Sequence, residues 1–260
     1  MAEQSRGILR PLDFLRSASV SIEGPTEKHA GLVVLNSPIS HADLVKQIWP
    51  NTSYRVCADG GANRVYSILS SQQKSLLETY LPTEIHGDLD SLRDDVRAYY
   101  ERHNVPVTKD GDQYHTDFEK SIGRVIASVP SLTNIIVLGS LSGRVDQGIG
   151  LLSELYRQQR QHPNITIWLF SESSISFILP KGKTTIAVPV REGRITENAG
   201  ILPVFGPATI TIEGFEWDVV DWPTELGGQV STSNHIKADE VSVETDREVL
   251  FTIERSGPES

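Results

Sequence analysis

The chain has 260 residues, with 34 aspartates and glutamates against 24 lysines and arginines, and a formal net charge of −10. This acidic balance argues against a nucleic-acid partner, because phosphate backbones select basic surfaces. With no apolar run long enough to span a bilayer, no hydrophobic signal region and one cysteine, Cys57, we expect a cytoplasmic protein without a disulfide or a membrane partner.

The first part of the chain predicts strands that alternate with helices. Residues 1–30 are weakly periodic and predict a loosely ordered lead-in. Leu32–Leu35 is a continuous apolar run, which is typical of a buried parallel strand. Further strands are predicted at Tyr54–Ala58, Asn134–Leu138 and Ile165–Phe170, and one more ends at Ile85. The helix candidates are His41–Trp49, Val65–Leu77, Leu92–Tyr100, a segment after Thr116, and Ile149–Arg157. We therefore predict an α/β domain over residues 31–178, with a mostly parallel, Rossmann-like sheet.

The last part of the chain loses helical periodicity beyond Pro180–Lys183. Short alternating or β-branched runs, separated by glycine-containing turns, follow at Thr184–Val190, Ala208–Ile212, Glu240–Thr245 and Val249–Ile253. This pattern is typical of short antiparallel strands. We therefore predict a small all-β sandwich or barrel over residues 179–260.

The stretch His86–Ser91 carries two carboxylates, Asp88 and Asp90, directly after a predicted strand. Open α/β sheets bind ligands beyond the carboxyl ends of their strands. Adjacent carboxylates repel each other unless a cation or a proton lies between them, and Mg²⁺ prefers oxygen ligands of this kind. The alternative is a solvated turn, with Ser91 as the N-cap of the next helix.

Two more polar segments follow predicted strands. The glycines of Asp59-Gly60-Gly61-Ala62-Asn63 either let backbone N–H groups approach a ligand or simply form a tight turn. Farther on, Thr116 and Glu119 predict a capping box at a helix start. Asp117 then either complements the helix dipole or acts as a third metal-site acid, and Asp112 has the same two interpretations.

Polar residues also cluster in the loop before the last helix of the α/β part and in one stretch of the β part. Arg144 suits a phosphate, while Asp146 and Gln147 suit a polar ring edge. The alternative is an Arg144–Asp146 surface ion pair, which contributes little energy. The tetrad Ser231–Asn234 is unusually polar, and its alternative interpretation is an ordinary loop.

These segments, in their order and spacing, resemble thiamine pyrophosphokinases. In the α/β part the resemblance rests on Ala58–Asn63, Gly87–Ser91, Asp112-Gln113, Thr116–Lys120 and Gly143–Gln147. In the β part it rests on Leu179–Gly182, Gly200–Val204, Trp217 and Gly227–Asn234. The family transfers the pyrophosphoryl group of ATP to the hydroxyethyl oxygen of thiamine and releases AMP. The resemblance therefore implies that activity, with Mg²⁺ as cofactor.

The resemblance also implies a homodimer, in which the α/β half of one subunit meets the β half of the other at each active site. It implies a metal site formed by Asp88, Asp90 and Asp117, and these three acids with Arg144 and Asp146 as catalytic residues. The implied nucleotide-binding residues are Asp59, Gly60, Gly61, Asn63, Asp112, Gln113 and Gln147. The implied thiamine-binding residues are Trp217, Ser231, Ser233 and Asn234.

Two other classes of function fit parts of the pattern. A different Mg²⁺-dependent nucleotidyl- or phosphoryl-transfer enzyme would keep the acids but has no use for the tetrad Ser231–Asn234. A non-catalytic binder of thiamine diphosphate would keep the β half but has no need of Asp88, Asp90 and Asp117 together, and all three are present.

Overall fold

The computed structural model describes residues 7–16, 30–112, 114–129 and 131–257. The chain divides into two compact units, one over residues 14–172 and the other combining residues up to 13 with those from 173 onward. The division at 172/173 precedes the predicted one at 178/179. The reason is that Ser174–Leu179 forms a strand that pairs antiparallel with Val249–Arg255, near the end of the chain.

The described residues of the unit over residues 14–172 contain six parallel strands. These are β1 (Ala30–Val34), β2 (Tyr54–Ala58), β3 (Glu84–Gly87), β4 (Val107–Lys109), β5 (Asn134–Leu138) and β6 (Thr166–Phe170). Their pairings give the order β6-β5-β1-β2-β3-β4. Strands β1 and β6 are buried along their whole length, which explains their continuous apolar sequences.

Six α-helices accompany this sheet in the residues that the structure describes. They are α1 (Ala42–Ile48), α2 (Gly61–Gln72), α3 (Lys74–Thr79), α4 (Asp94–Arg102), α5 (Asp117–Ser128) and α6 (Val145–Gln161). With this strand order, the right-handed rule for parallel crossovers puts α1 to α4 on one face and α5 and α6 on the other. The contacts of α1 with α2, of α2 with α4 and of α5 with α6 agree with that division. Helix α5 packs closely on β1, because a Cβ on Gly31 would lie 2.1 Å from Cγ1 of Val125. None of the described helices is both long and apolar enough to traverse a membrane.

Several local predictions differ from the structure. The helix predicted at Val65–Leu77 is two helices, α2 and α3, separated by the extended residue Gln73. Ser91 is not an N-cap, because α4 begins at Asp94 and Arg93 occupies the cap position without a side-chain bond. Thr116 does cap α5, since its Oγ1 accepts the N–H of Glu119 at 3.2 Å.

Part of the predicted loosely ordered lead-in has regular structure. Residues Pro11–Leu15 form a 3₁₀ helix in which Leu12 and Leu15 are buried. Leu9 pairs with β-strand residues, since its N–H donates to the carbonyl of Thr185 at 2.9 Å and its carbonyl accepts the N–H of Ala187 at 2.8 Å. The remainder of the lead-in, residues 1–6 and 17–29, lies outside the described residues.

Within its described residues, the second unit has two four-stranded antiparallel sheets. Its strands are β7 (Ser174–Leu179), β8 (Gly182–Ala187), β9 (Ile195–Leu202), β10 (Ala208–Glu213), β11 (Val219–Thr224), β12 (Ser231–His235), β13 (Glu240–Thr245) and β14 (Val249–Arg255). One sheet has the order β12-β9-β14-β7 and the other β11-β10-β13-β8. Alternate residues of β10 and β13 are buried, as expected for sheets that cover one core. The sequence pattern missed β7, β9, β11 and β12.

Candidate active site

Three carboxylates converge at the carboxyl ends of two neighbouring strands. Asp59 directly follows β2, Asp88 directly follows β3, and Asp117 is the first residue of α5. One oxygen from each of the three lies within 4.8 Å of the others. We call these three residues the acid cluster. Its position beyond the ends of parallel strands is where α/β sheets bind ligands.

Gly87 permits this convergence. Its φ is +151°, and a Cβ there would lie 2.9 Å from Oδ1 of Asp117 and 3.1 Å from Cβ of Asp59. A side chain would therefore separate the two acids and strain the backbone. The following residue, Asp88, donates its backbone N–H to Oδ1 of Asp117 at 3.3 Å.

Burial leaves one oxygen of the acid cluster without a partner. Asp59 is 4% exposed, and its Oδ2 accepts the N–H of Ser91 at 3.0 Å. Its Oδ1 is buried and has no hydrogen-bond partner among the described residues. An unpaired buried carboxylate oxygen is costly unless a proton or a cation satisfies it. Three carboxylates at this spacing, one of which has an unpaired buried oxygen among the described residues, therefore fit a divalent cation such as Mg²⁺.

The pKa values in the acid cluster follow from burial and from repulsion. Burial raises the pKa of Asp59, although the hydrogen bond from the Ser91 backbone opposes the change. Burial also raises the pKa of Asp117, and the negative charge of Asp88 raises it further. A cation would relieve both effects, because it stabilises the ionised form of each carboxylate.

Asp90 lies beside the acid cluster but outside it. Its carboxylate is exposed and accepts the hydroxyl of Ser91 at 2.8 Å, while its backbone N–H donates to Oδ1 of Asp88 at 3.3 Å. The structure thus brings Asp59 together with Asp88 and Asp117, whereas the sequence placed Asp59 with the nucleotide. One sequence signal was available, since Asp59 directly follows the predicted strand Tyr54–Ala58, and Asp88 likewise comes shortly after a predicted strand, the one that ends at Ile85.

The glycine turn after β2 is tightly packed. A Cβ on Gly61 would lie 2.1 Å from the carbonyl oxygen of Val34, and one on Gly60 would lie 2.4 Å from Nδ2 of Asn36. These contacts give both glycines a packing role, whatever ligand lies nearby. Asn63 is also engaged, since its Nδ2 donates to the carbonyl of Ser91 at 2.8 Å.

A cavity of about 560 Å³ opens next to this turn. Asn63, Arg64, Ser91 and Arg93 contribute to its lining. Arg64 donates through Nε to Asn36 at 2.8 Å, and Arg93 is paired with Asp95 at 2.7 Å. The cavity therefore combines two guanidinium groups with hydroxyl and amide groups, a lining suited to a polar, phosphorylated molecule.

Asp112 organises its own loop. Its Oδ1 accepts the N–H of Tyr114 at 2.8 Å, and its Oδ2 contacts Nδ1 of His115. The Tyr114 N–H and then His115 hold the pKa of Asp112 below its usual value. Gln113, which the resemblance assigned to the nucleotide, lies outside the described residues.

The loop after β5 presents its polar residues to solvent. Arg144 donates to Asp146 through Nε at 3.2 Å and through a terminal nitrogen at 2.6 Å, and both side chains are more than half exposed. Gln147 is exposed as well. This is the geometry of a surface ion pair, at the same edge of the sheet as the acid cluster but beyond β1. The pair would have to open, or rotate together, to meet a ligand.

In the β unit, the polar tetrad forms most of an edge strand, β12, instead of a loop. Ser233 has a φ of +55° at a register shift between Ser231 and Asn234. The strand also borders a cavity of about 360 Å³, lined in part by Thr232, Ser233 and Asn198. Two of the hydroxyl groups singled out in the sequence, those of Ser231 and Ser233, are thus at least partly accessible.

Asn234 supports Trp217 and is itself 3% exposed. Its Oδ1 accepts the N–H of Trp217 at 3.2 Å, and its Nδ2 donates to the carbonyl of the same residue at 3.1 Å. The Trp217 side chain is 54% exposed, and its ring lies 5.2 Å from that of His235. Asn234 thus holds the backbone of an exposed aromatic residue, and its Oδ1 also accepts the N–H of His235 at 2.9 Å.

Comparisons with known proteins agree on one family. A family model described as thiamin pyrophosphokinase, catalytic domain, matches residues 45–169. A second, described as thiamin pyrophosphokinase, vitamin B1 binding domain, matches residues 183–250. The first match contains the acid cluster, and the second contains Trp217 and β12.

Related proteins and structures cover most of the chain. Thiamine pyrophosphokinase 1 of Arabidopsis thaliana is 32% identical over 242 residues, which span 89% of this chain and 88% of that protein. Thiamine pyrophosphokinase of Saccharomyces cerevisiae is 28% identical, over 88% of this chain and 86% of its own length. The structure of thiamin pyrophosphokinase from Candida albicans superposes with a TM-score of 0.80 at 26% identity, over 98% of this chain and 95% of that one. The chain therefore belongs to the thiamine pyrophosphokinase family.

Proposed function

We propose that the chain transfers the pyrophosphoryl group of ATP to the hydroxyethyl group of thiamine, forming thiamine diphosphate and AMP. The observation that carries this proposal is the acid cluster, with its unpaired buried oxygen, inside the segment matched by the catalytic-domain family model. Phosphoryl transfer depends on positioning and on charge neutralisation more than on covalent help from the protein. A rigid group of carboxylates is suited to that task.

The acid cluster would hold Mg²⁺ through Asp59, Asp88 and Asp117, and the bound ion would offset charge on the phosphate oxygens. Asp90 is exposed beside Asp88, and we propose that it acts at the rim of this metal site. In the transfer, the thiamine hydroxyl oxygen bonds to the β-phosphorus as the bond to the bridging oxygen of AMP breaks. The hydroxyl proton passes to a carboxylate or to solvent.

The proposed nucleotide side comprises the turn after β2, with Asp112, Gln113 and the loop Arg144–Gln147. The cavity beside Asn63 and Arg64 offers donors to phosphate or sugar oxygens. Arg144 is a proposed phosphate contact, for which it must leave Asp146. Arg144 and Asp146 are both exposed, and a surface ion pair contributes little free energy, so Arg144 can leave Asp146 at low cost.

The proposed thiamine side is the β unit, through Trp217, Ser231 and Ser233, with Asn234 as the support of Trp217. Its basis is the match of residues 183–250 to the vitamin B1 binding domain. Thiamine carries a permanent positive charge on its thiazolium ring. An exposed indole face attracts a cation of this kind, and hydroxyl groups can bond the ring nitrogens.

We also propose a cytoplasmic homodimer whose active sites combine the α/β unit of one subunit with the β unit of the other. A mixture of two inactive variants tests this arrangement. One variant carries Asp88→Asn, and the other carries Ser231→Ala with Ser233→Ala. After subunit exchange, a mixed dimer would hold both defects in one site and leave the other intact, so activity should return. A fully active monomer in sedimentation at assay concentration would contradict the proposal.

Nucleotide analysis tests the function itself. The protein is mixed with ATP, Mg²⁺ and thiamine, and AMP and thiamine diphosphate are quantified against a control without thiamine. We expect AMP formation that requires thiamine and equals the thiamine diphosphate formed. Release of ADP or phosphate without thiamine would favour another Mg²⁺-dependent phosphoryl-transfer enzyme. Binding of thiamine diphosphate without turnover would favour a non-catalytic binder.

A further inference from the structure

A lysine side chain that has no role in the reaction proposed above lies against the acid cluster. Lys120 follows Asp117 by three residues in α5, a spacing that places both side chains on one face of the helix. The Lys120 side chain is 5% exposed, and its Nζ lies 3.9 Å from Oδ1 of Asp117. Nζ also donates to the carbonyl oxygen of Asp110 at 3.2 Å. The lysine is therefore held between the acid cluster and the loop after β4.

Lys120 occupies a special electrostatic position. Within the described ranges, its Nζ is the only lysine or arginine nitrogen within 4.0 Å of a carboxylate oxygen of Asp59, Asp88 or Asp117. Lysines are rarely buried unless they are paired, because removal of an ammonium group from water is costly. The negative charge of the acid cluster thus compensates for the burial of the Lys120 ammonium group, which in turn places a positive charge beside the three acids.

We propose that Lys120 is a positioning residue that sets the affinity of the acid cluster for a divalent cation and keeps a fixed positive charge beside the pyrophosphoryl group. The part of this inference that concerns ATP rests on the function proposed above. The part that concerns the cation rests only on the geometry of Lys120 and the three acids.

The two roles predict effects of opposite direction when the charge of Lys120 is removed. A divalent cation should bind more tightly, because the ammonium group no longer repels it and the cluster carries more uncompensated negative charge. Turnover should nevertheless fall, because one positive charge no longer offsets charge on the transferring group. A lysine that served only to stabilise the fold would not produce tighter cation binding together with slower turnover.

The experiment compares Lys120→Met with Lys120→Arg and with Lys46→Met. Methionine keeps the length and the apolar stem of the side chain, whereas arginine keeps the charge. Lys46 lies on α1 and pairs with Asp43, so its substitution makes the same change in net charge away from the acid cluster. Lys120→Gln serves as a second neutral variant in case the methionine variant does not fold.

Mn²⁺ is titrated into each full-length variant by calorimetry, without nucleotide or thiamine. We expect Lys120→Met and Lys120→Gln to bind Mn²⁺ more tightly than the original protein, by on the order of tenfold, while Lys46→Met and Lys120→Arg stay within about twofold. Mn²⁺ should also raise the thermal unfolding temperature most in the neutral Lys120 variants. Unchanged or weaker Mn²⁺ binding in a folded neutral variant would overturn the inference.

Steady-state kinetics supply the second measurement. We expect kcat of the neutral variants to fall by about 100-fold, with the KM for thiamine unchanged and partial recovery in Lys120→Arg. Unchanged kcat would remove the proposed role beside the phosphates.

The two proposals can fail separately. If the original protein forms no thiamine-dependent AMP but Lys120→Met binds Mn²⁺ more tightly, the function is wrong and the cation role of Lys120 stands. If the original protein forms thiamine-dependent AMP but Lys120→Met binds Mn²⁺ no more tightly, the function stands and the cation role of Lys120 is wrong.

Discussion

The backbone N–H of Ser91 donates a 3.0 Å hydrogen bond to Oδ2 of Asp59, so the turn after β3 is tied to the turn after β2. Asn63 adds to this connection, because its Nδ2 donates to the carbonyl of Ser91 at 2.8 Å and its Oδ1 accepts the N–H of Arg93 at 3.1 Å. The bond from Ser91 occupies one oxygen of Asp59, and the other is buried with no hydrogen-bond partner in the part of the chain that the structure describes. The two turns are therefore held at a fixed spacing around an oxygen available to a cation.

This arrangement predicts that Asp59 contributes more to cation binding than Asp90 does. Asp59→Asn removes charge from the centre of the acid cluster, whereas Asp90→Asn changes an exposed side chain beside it. We expect Asp59→Asn to abolish measurable Mn²⁺ binding and to lower kcat by about 100-fold or more. The effect of Asp90→Asn on Mn²⁺ affinity should be smaller. Calorimetric titration of both variants with Mn²⁺ tests this order. Equal losses of Mn²⁺ affinity would show that Asp90 is also a metal ligand.

Gly87→Ala should damage the acid cluster through the backbone. The glycine has a φ of +151°, and the added Cβ would meet Asp117 and Asp59. We expect a loss of stability of about 1–3 kcal/mol, together with loss of Mn²⁺ binding and turnover. Chemical denaturation and calorimetry provide the measurements.

Gly123→Ala is the matched control for that substitution. Gly123 lies inside α5, the helix that carries Asp117, and a Cβ there would have no neighbour within 4 Å. Alanine should stabilise the protein by about 0.5–1 kcal/mol and leave activity intact, because glycine is the poorer helix former. If Gly123→Ala lowered stability and activity as much as Gly87→Ala does, the special backbone requirement at Gly87 would be wrong.

The raised pKa of Asp117 predicts a conflict between stability and activity. Burial, and then the charge of Asp88, make ionisation of this carboxyl harder in the folded protein than in the unfolded chain. Its contribution to stability is complete below the unfolded-state pKa, about 3.9, and is lost as pH rises through the folded-state value. With EDTA present, Asp117→Asn should therefore raise the unfolding temperature at pH 7 and have little effect near pH 3. Activity should be lost.

Asp95→Asn is the control for this pH dependence because the opposite sign is expected. A hydrogen bond from Arg93 holds the pKa of Asp95 below its usual value. Such a carboxylate contributes stability above its unfolded-state pKa and loses that contribution as pH falls through the folded-state value. Asp95→Asn should therefore lower the unfolding temperature slightly at pH 7 and not near pH 3. Shifts of the same sign in both variants at pH 7 would contradict the electrostatic explanation.

Trp217→Ala should weaken thiamine binding selectively. Its exposed indole and the hydroxyls of β12 form the proposed thiamine side. Loss of the ring should raise the KM for thiamine by about fivefold, corresponding to about 1 kcal/mol, and leave the KM for ATP unchanged. Asn234→Ala should act in the same direction, because it releases the backbone of Trp217.

Val220→Ala provides the comparison for Trp217→Ala. Val220 is an exposed apolar residue of β11 that is not among the residues of the proposed thiamine side, so its truncation removes apolar surface alone. Its kinetic constants should match those of the original protein. A change in the KM for ATP after Trp217→Ala, without one for thiamine, would place the thiamine side elsewhere.

Local sequence patterns were enough to predict the strands and the cap that depend on neighbouring residues alone. Tyr54–Ala58, Asn134–Leu138 and Glu240–Thr245 are strands at the predicted bounds, because apolar or alternating β-branched runs reflect burial directly. The Thr116 cap was predictable for the same reason, since a capping bond joins residues only three apart. The sequence also indicated that acids follow strand ends, and the family followed from the order of such segments.

Tertiary structure decided everything that depends on neighbours distant in the sequence. The polar residues Ser231–Asn234 form a strand because β9 supplies hydrogen-bond partners, which no local pattern records. Asp59 joins Asp88 and Asp117 because β2 and β3 are parallel neighbours and because Gly87 adopts a φ that admits both side chains. Lys120 is buried against them through the packing of α5. Periodicity in a sequence reports which residues are buried, whereas the meeting of particular charges depends on strand order and turn dihedrals, which only the folded chain establishes.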